Sequence, residues 1–178
     1  MEVISRAIHQ EMNWTQPNAF KEEYELKSGA SLLGSLHFRS SWGTLAVAET
    51  ANGCWTFKRV GFFATRVSIR RCDSETEVAS FRNNTWSGGG TLEMPDGRLF
   101  RASTNFWQTR LELANDRDEL ILSYKDIGGL FKRTATLVIE PAAASLTDLP
   151  MVVMLSWYLM VMMYRDSTAA AGATAAMG

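Results

Sequence analysis

Two cysteines and two histidines in 178 residues leave little material for metal or thiol chemistry. Cys54 and Cys72 are too few for a disulfide framework and too far apart for a CxxC redox or zinc pair. They are read as reduced residues of the core or of strands, consistent with a cytosolic setting. His9 and His37 have no cysteine or acidic pair at metal-ligand spacing, so no metal and no cofactor are expected. A formal net charge of -1 lacks the basic excess of a nucleic-acid binder. The start, MEVISRAIHQEMNW, places Glu2, Arg6, His9 and Glu11 among its apolar residues, so it has no uninterrupted signal-peptide core. Gly88-Gly89-Gly90 is not followed by Lys-Ser/Thr and precedes a strand, which makes it a bend and not a phosphate-binding loop. Asn13-Trp14-Thr15 and Asn83-Asn84-Thr85 match the glycosylation acceptor pattern, which has no meaning without a secretory route.

One long apolar run is present. Leu149 to Tyr164, LPMVVMLSWYLMVMMY, contains no charge. As a helix rising 1.5 Å per residue it would span roughly 24 Å, short of the ~20 apolar residues that a bilayer requires. Its two sides, one with Val153, Trp157 and Met160 and the other with Met154, Leu155 and Met162, are both apolar. It leaves no stripe for water, so protein must surround it. Ser145, Thr147 or Asp148 can cap it, and it is expected to span about 148–165.

Before that run, period-two segments alternate with turn residues. They cover 22–27, 32–38, 44–49, 54–60, 65–72, 77–82, 91–94, 98–102, 106–113, 119–124 and 131–139, and Val3 to Ile8 can supply one more. Ala51-Asn52-Gly53 and Pro95-Asp96-Gly97 are hairpin turns. About twelve antiparallel strands escape the exposure of their edges by closing into a barrel, whose lumen needs a filling. The helix supplies it, with methionines suited to an irregular cavity. The expected organisation is an N-terminal segment over 1–19, a barrel with its central helix over 20–166, and a disordered small-residue tail over 167–178.

This order of elements, with WTFKRVGF at Trp55 to Phe62 and the terminal apolar helix, resembles the tubby C-terminal-like superfamily. The closest look is to its LURP-one-related branch, which includes relatives of the phospholipid scramblases. The resemblance covers about residues 20–166 and implies a mainly β fold, a closed antiparallel barrel of about twelve strands around a central hydrophobic C-terminal helix. Tubby proteins bind phosphoinositide headgroups through basic residues of the barrel surface, and none of those residues is matched individually to a position here.

The strand pattern itself brings Lys58, Arg66 and Arg70 to one outward side of the 54–72 hairpin, opposite Trp55, Phe57, Val67 and Ile69. That patch can hold a phosphate or an anionic membrane surface. The competing reading is a solvated strand face with Glu49 and Glu77 as cross-strand partners. Arg59 and Arg71 fall on the inward side and need bends or strand ends to leave it. The carboxylates at Glu22-Glu23 and at Asp116, Asp118 and Glu119 lie at a strand start and in a turn, where nothing separates their pKa values for acid–base work. An exposed tryptophan among Trp14, Trp42, Trp55, Trp86, Trp107 and Trp157 would be a binding clue.

The leading expectation is a non-enzymatic, cytoplasmic binding or scaffold module, peripheral at the membrane, whose partners are anionic phospholipid or phosphoinositide headgroups. One alternative is a scramblase-like protein anchored by the apolar helix. Another is an enzyme whose site is assembled from distant loops.

Overall fold

The computed structural model describes residues 1–8, 10–61, 65–84, 89–105, 110–128 and 133–175. Twelve strands appear in chain order: β1 (Met12–Thr15), β2 (Glu23–Ser28), β3 (Ser31–Phe38), β4 (Ala46–Thr50), β5 (Gly53–Val60), β6 (Arg66–Arg71), β7 (Glu77–Asn83), β8 (Gly89–Glu93), β9 (Leu99–Thr104), β10 (Leu111–Asn115), β11 (Leu120–Gly128) and β12 (Thr134–Ile139). Each pairs antiparallel with its sequence neighbours, and β1 pairs with both β2 and β12, closing the barrel. The fold expected from the sequence is the fold observed.

Alternation sets which side chains enter the lumen. Tyr24 and Leu26 of β2, Trp55 and Phe57 of β5, and Leu137 and Ile139 of β12 are buried at every second position. The turn between β8 and β9 uses Gly97 at φ 84°, a left-handed conformation that glycine adopts at little cost. Between β10 and β11, Asn115 Oδ1 accepts from the amides of Arg117 and Glu119 at 3.0 and 2.9 Å, an Asx-type turn.

The lumen holds helix α1 (Leu149–Ala175). Every residue from Leu149 to Met162 is buried, as a helix without a polar stripe requires. Trp157 stacks on Trp14 with ring centroids 5.0 Å apart and meets Tyr24 edge-on at 5.7 Å. Tyr158 stacks on Phe38 at 5.5 Å, and its hydroxyl donates to Thr44 O at 2.7 Å. Burial pushes that phenol up to about 12, so it remains protonated and available as a donor. The Tyr124 hydroxyl is bonded to Ser156 Oγ at 2.8 Å, satisfying the polar side chain inside the apolar run. Gly34 of β3 admits Met154, whose Sδ lies 3.1 Å from where a Cβ would stand.

Four expectations need correction. Val3 to Ile8 supplies no strand: residues Ile4–Arg6 form a single 3-10 turn, and the twelfth strand is β1, within the segment expected to precede the barrel. The helix does not stop at Arg165-Asp166 but runs on to Ala175, because the alanine-rich stretch beyond has high helix propensity. Asp148 precedes the helix as expected, yet its carboxylate is engaged by Arg98 Nη2 at 2.6 Å. Finally, Cys54 and Cys72 are not reduced but disulfide-bonded, with Cα atoms 5.4 Å apart. The register that pairs Trp55 with Arg71 places the two cysteines opposite each other at the end of the β5–β6 hairpin. The parts of the expected strands at 106–109 and 131–132, the first glycine of Gly88-Gly89-Gly90, and His9, Phe62, Trp86 and Trp107 lie outside the described residues.

Candidate functional site

Because neighbouring strands run antiparallel, the connections β1–β2, β3–β4 and β5–β6 share one rim of the barrel, while β2–β3, β4–β5 and β6–β7 share the other. Helix α1 starts near the second rim, where Asp148 meets Arg98, and leaves through the first. Two features stand out: the outward face of β5–β6, which runs from the exit rim to the opposite one, and the ring of residues around the emerging helix.

On β5–β6, Trp55, Phe57, Val67 and Ile69 are buried, so Lys58, Arg66 and Arg70 project outward together as the alternation predicts. Lys58 stands opposite Ser68, which makes Arg66 and Arg70 its two diagonal neighbours, roughly 7–8 Å away for such pairs. Arg66 is bonded to Glu77 at 2.7 Å and Arg70 to Glu75 at 2.5 Å. Glu77 therefore plays the partner role expected of it. Among the described residues no ion pair involves Glu49, and Glu75 of the β6–β7 turn serves instead. Burial alone would raise the Glu77 carboxyl, but the Arg66 guanidinium bonded to it and the nearby Arg70 charge hold it below its ordinary value. A groove of about 350 Å³ runs along this face, lined by Arg39, Lys58, Arg70, Arg71 and Glu75 among others. Lys58 and Arg39 have no ion-pair partner among the described residues. The groove also reaches Cys72, so the disulfide borders it.

Around the exit, three arginines tie the helix end to the barrel, two from the wall and one, Arg165, from α1 itself. Arg59, on the inward side of β5, reaches the rim and forms a two-point pair with Asp166 at 2.9 and 2.8 Å. Arg165 pairs with Glu22, donates to Gly43 O at 2.8 Å and covers the Phe38 ring at 3.9 Å. Arg133 lies 4.0 Å above the Tyr164 ring and bonds the Tyr24 hydroxyl at 3.3 Å. Glu22 is thus occupied structurally, and Asp118 pairs with Arg101 at 2.5 Å. Beside the Arg59–Asp166 pair, a cavity of about 230 Å³ separates α1 from the β6–β10 wall, lined by Val67, Phe81, Leu159 and Met162.

Arg71 leaves the interior at the strand end and is exposed, while Arg59 resolves its inward position by meeting a carboxylate from the helix. Sequence reasoning missed the arginine collar and the Cys54–Cys72 bridge. The hairpin register was the signal for the bridge; the Arg59 and Arg165 bonds of the collar join residues more than 100 positions apart and have no local signal.

The architecture is a closed antiparallel barrel threaded by a C-terminal helix. No protein-family model and no curated protein matches the sequence. A solved X-ray structure of a protein from Arabidopsis thaliana superimposes with a TM-score of 0.53 at 10% identity, covering 82% of this chain and 90% of that one. Likeness at that identity is of fold alone. No helix among the described residues is long and apolar enough to cross a membrane.

Proposed function

We propose that this chain is a tubby-like, non-enzymatic binding module of the LURP-one-related and scramblase-like kind, which takes anionic phospholipid or phosphoinositide headgroups on the outward face of β5–β6. The observation that carries this reading is the groove over that face, where Lys58 and Arg39 stand without carboxylate partners beside Arg70. Arg66 and Arg70 exchange exposed carboxylate partners for phosphate oxygens. Surface ion pairs of this type are each worth only ~0–1 kcal/mol, so the exchange is inexpensive. The arginine collar favours retention of α1 in the barrel over its use as an anchor, since leaving would break the Arg59 and Arg165 contacts and empty the core. In this reading the protein is peripheral at the membrane; the Cys54–Cys72 bridge removes the reduced cysteines that spoke for a cytosolic setting.

Sedimentation with phosphoinositide-containing vesicles tests it. Each basic side chain near such a surface contributes about 1 kcal/mol. The Lys58→Ala, Arg66→Ala, Arg70→Ala triple variant should therefore bind roughly 100-fold more weakly while keeping its thermal transition, and wild-type binding should fall as salt rises. Binding that is unchanged in the triple variant or insensitive to salt would remove the groove from consideration.

A further inference from the structure

Two large aromatic side chains are almost fully in water: Phe20 at 97% exposure and Trp42 at 98%. They belong to different connections, β1–β2 and β3–β4, and both connections converge on one guanidinium. Arg165 pairs with Glu22, two residues beyond Phe20, and donates to the carbonyl of Gly43, next to Trp42. The two tips are therefore fixed on the same rim, beside the helix exit. The Asn18 side chain orders the Phe20 turn through the Phe20 amide, and Ser40 Oγ orders the Trp42 loop through the Gly43 amide.

The cations around these tips are complementary to an anionic surface. Lys21, in a loose and exposed pair with Glu23 at 3.8 Å, follows Phe20, and Arg39, unpaired among the described residues, begins the Trp42 loop while lining the β5–β6 groove with Lys58. The connections of the opposite rim, at 29–30, 51–52, 72–76, 95–98 and 116–119, contain no aromatic residue. The asymmetry matches what a bilayer interface selects, since aromatic rings settle at headgroup depth and basic residues stay in the aqueous layer.

We propose that this rim docks on a phospholipid bilayer, with Phe20 and Trp42 inserted at headgroup depth and Lys21, Arg39 and Lys58 on the anionic surface. The inference adds an apolar contact to the groove reading above, and the two are separable. Exposed aromatics contribute whether or not the lipid is charged, whereas the groove responds to charge and salt.

The test uses the full chain, phosphatidylcholine vesicles with and without phosphatidylserine, and three variants: Phe20→Ala/Trp42→Ala, Lys58→Ala/Arg70→Ala, and Trp42→Phe. The aromatic pair is exposed, so its removal should leave the thermal transition unchanged. It should weaken binding to phosphatidylserine vesicles about tenfold or more, in high and low salt alike. Brominated acyl chains should quench wild-type fluorescence and lose most of that effect in Trp42→Phe, which should still bind. Loss with the aromatic pair but not with the charge pair supports insertion of the rim aromatics and discards both the groove and the Lys58 contact. Loss with the charge pair but not with the aromatic pair does the reverse. The rim proposal is overturned if wild type ignores both vesicle types, if it binds without Trp42-dependent quenching, or if sedimentation shows that Phe20 and Trp42 instead hold two copies of the chain together.

Discussion

Removing Leu149 to Gly178, or placing a carboxylate at Trp157, should abolish folding altogether. Twelve large apolar side chains of α1 from Leu149 to Met162 are buried, each worth roughly 1.5–3 kcal/mol. Their loss exceeds the ~5–15 kcal/mol by which a domain is stable, even after the entropy regained by the released segment is allowed for. Trp157→Asp reaches the same end by another route. Its carboxylate would sit between Trp14, Tyr24 and Tyr124, and no cation faces that point among the described contacts. An unpaired charge in such a place costs several kcal/mol beyond the lost aromatic packing. Circular dichroism should show neither variant melting cooperatively; a truncated barrel that retained a sharp transition would mean that the strands close without their filling.

Gly90→Ala should be among the most damaging of the conservative changes. A Cβ there would collide with the carbonyl oxygen of Arg82 on β7 and come within 2.5 Å of the Phe81 ring. Neither obstacle yields easily, since one is sheet backbone and the other is a buried aromatic packed into the core. A loss of about 3 kcal/mol or more is expected, at the upper end for overpacking a core. Gly97→Ala is the informative control. No atom lies within 4 Å of its Cβ, and only the positive φ opposes the change, so about 1 kcal/mol should be lost. Chemical denaturation of both variants checks the ranking, which inverts if backbone conformation outweighs close packing.

The barrel could be read from the sequence because its two determinants are local. Period-two alternation marked the inward residues of β2, β5 and β12, and an unbroken apolar run fixed both the identity and the burial of α1. Lys58, Arg66 and Arg70 were placed on a common face by the same parity. Features that depend on closure escaped it. β1 has only four residues, too few to show alternation, and is recognisable as a strand only through its pairing with β2 and β12 at once. The exposure of Phe20 and Trp42 is equally silent in sequence, since an aromatic residue within two positions of asparagine or serine can as well anchor a turn as stand clear of it. The partners of Arg59 and Arg165 come from opposite ends of the chain and meet only once the helix has threaded the barrel.

Hydrogen exchange on the full protein, with and without phosphatidylserine vesicles, tests most directly whether the helix stays inside while the exit rim and the β5–β6 face meet the membrane. The amides from Met151 to Met162 should exchange slowest in both states, opening only with global unfolding. The vesicles should add protection around Phe20, Trp42 and Lys58. Loss of protection across α1 when vesicles are added would show the helix leaving the barrel to insert, and would contradict the account at its centre.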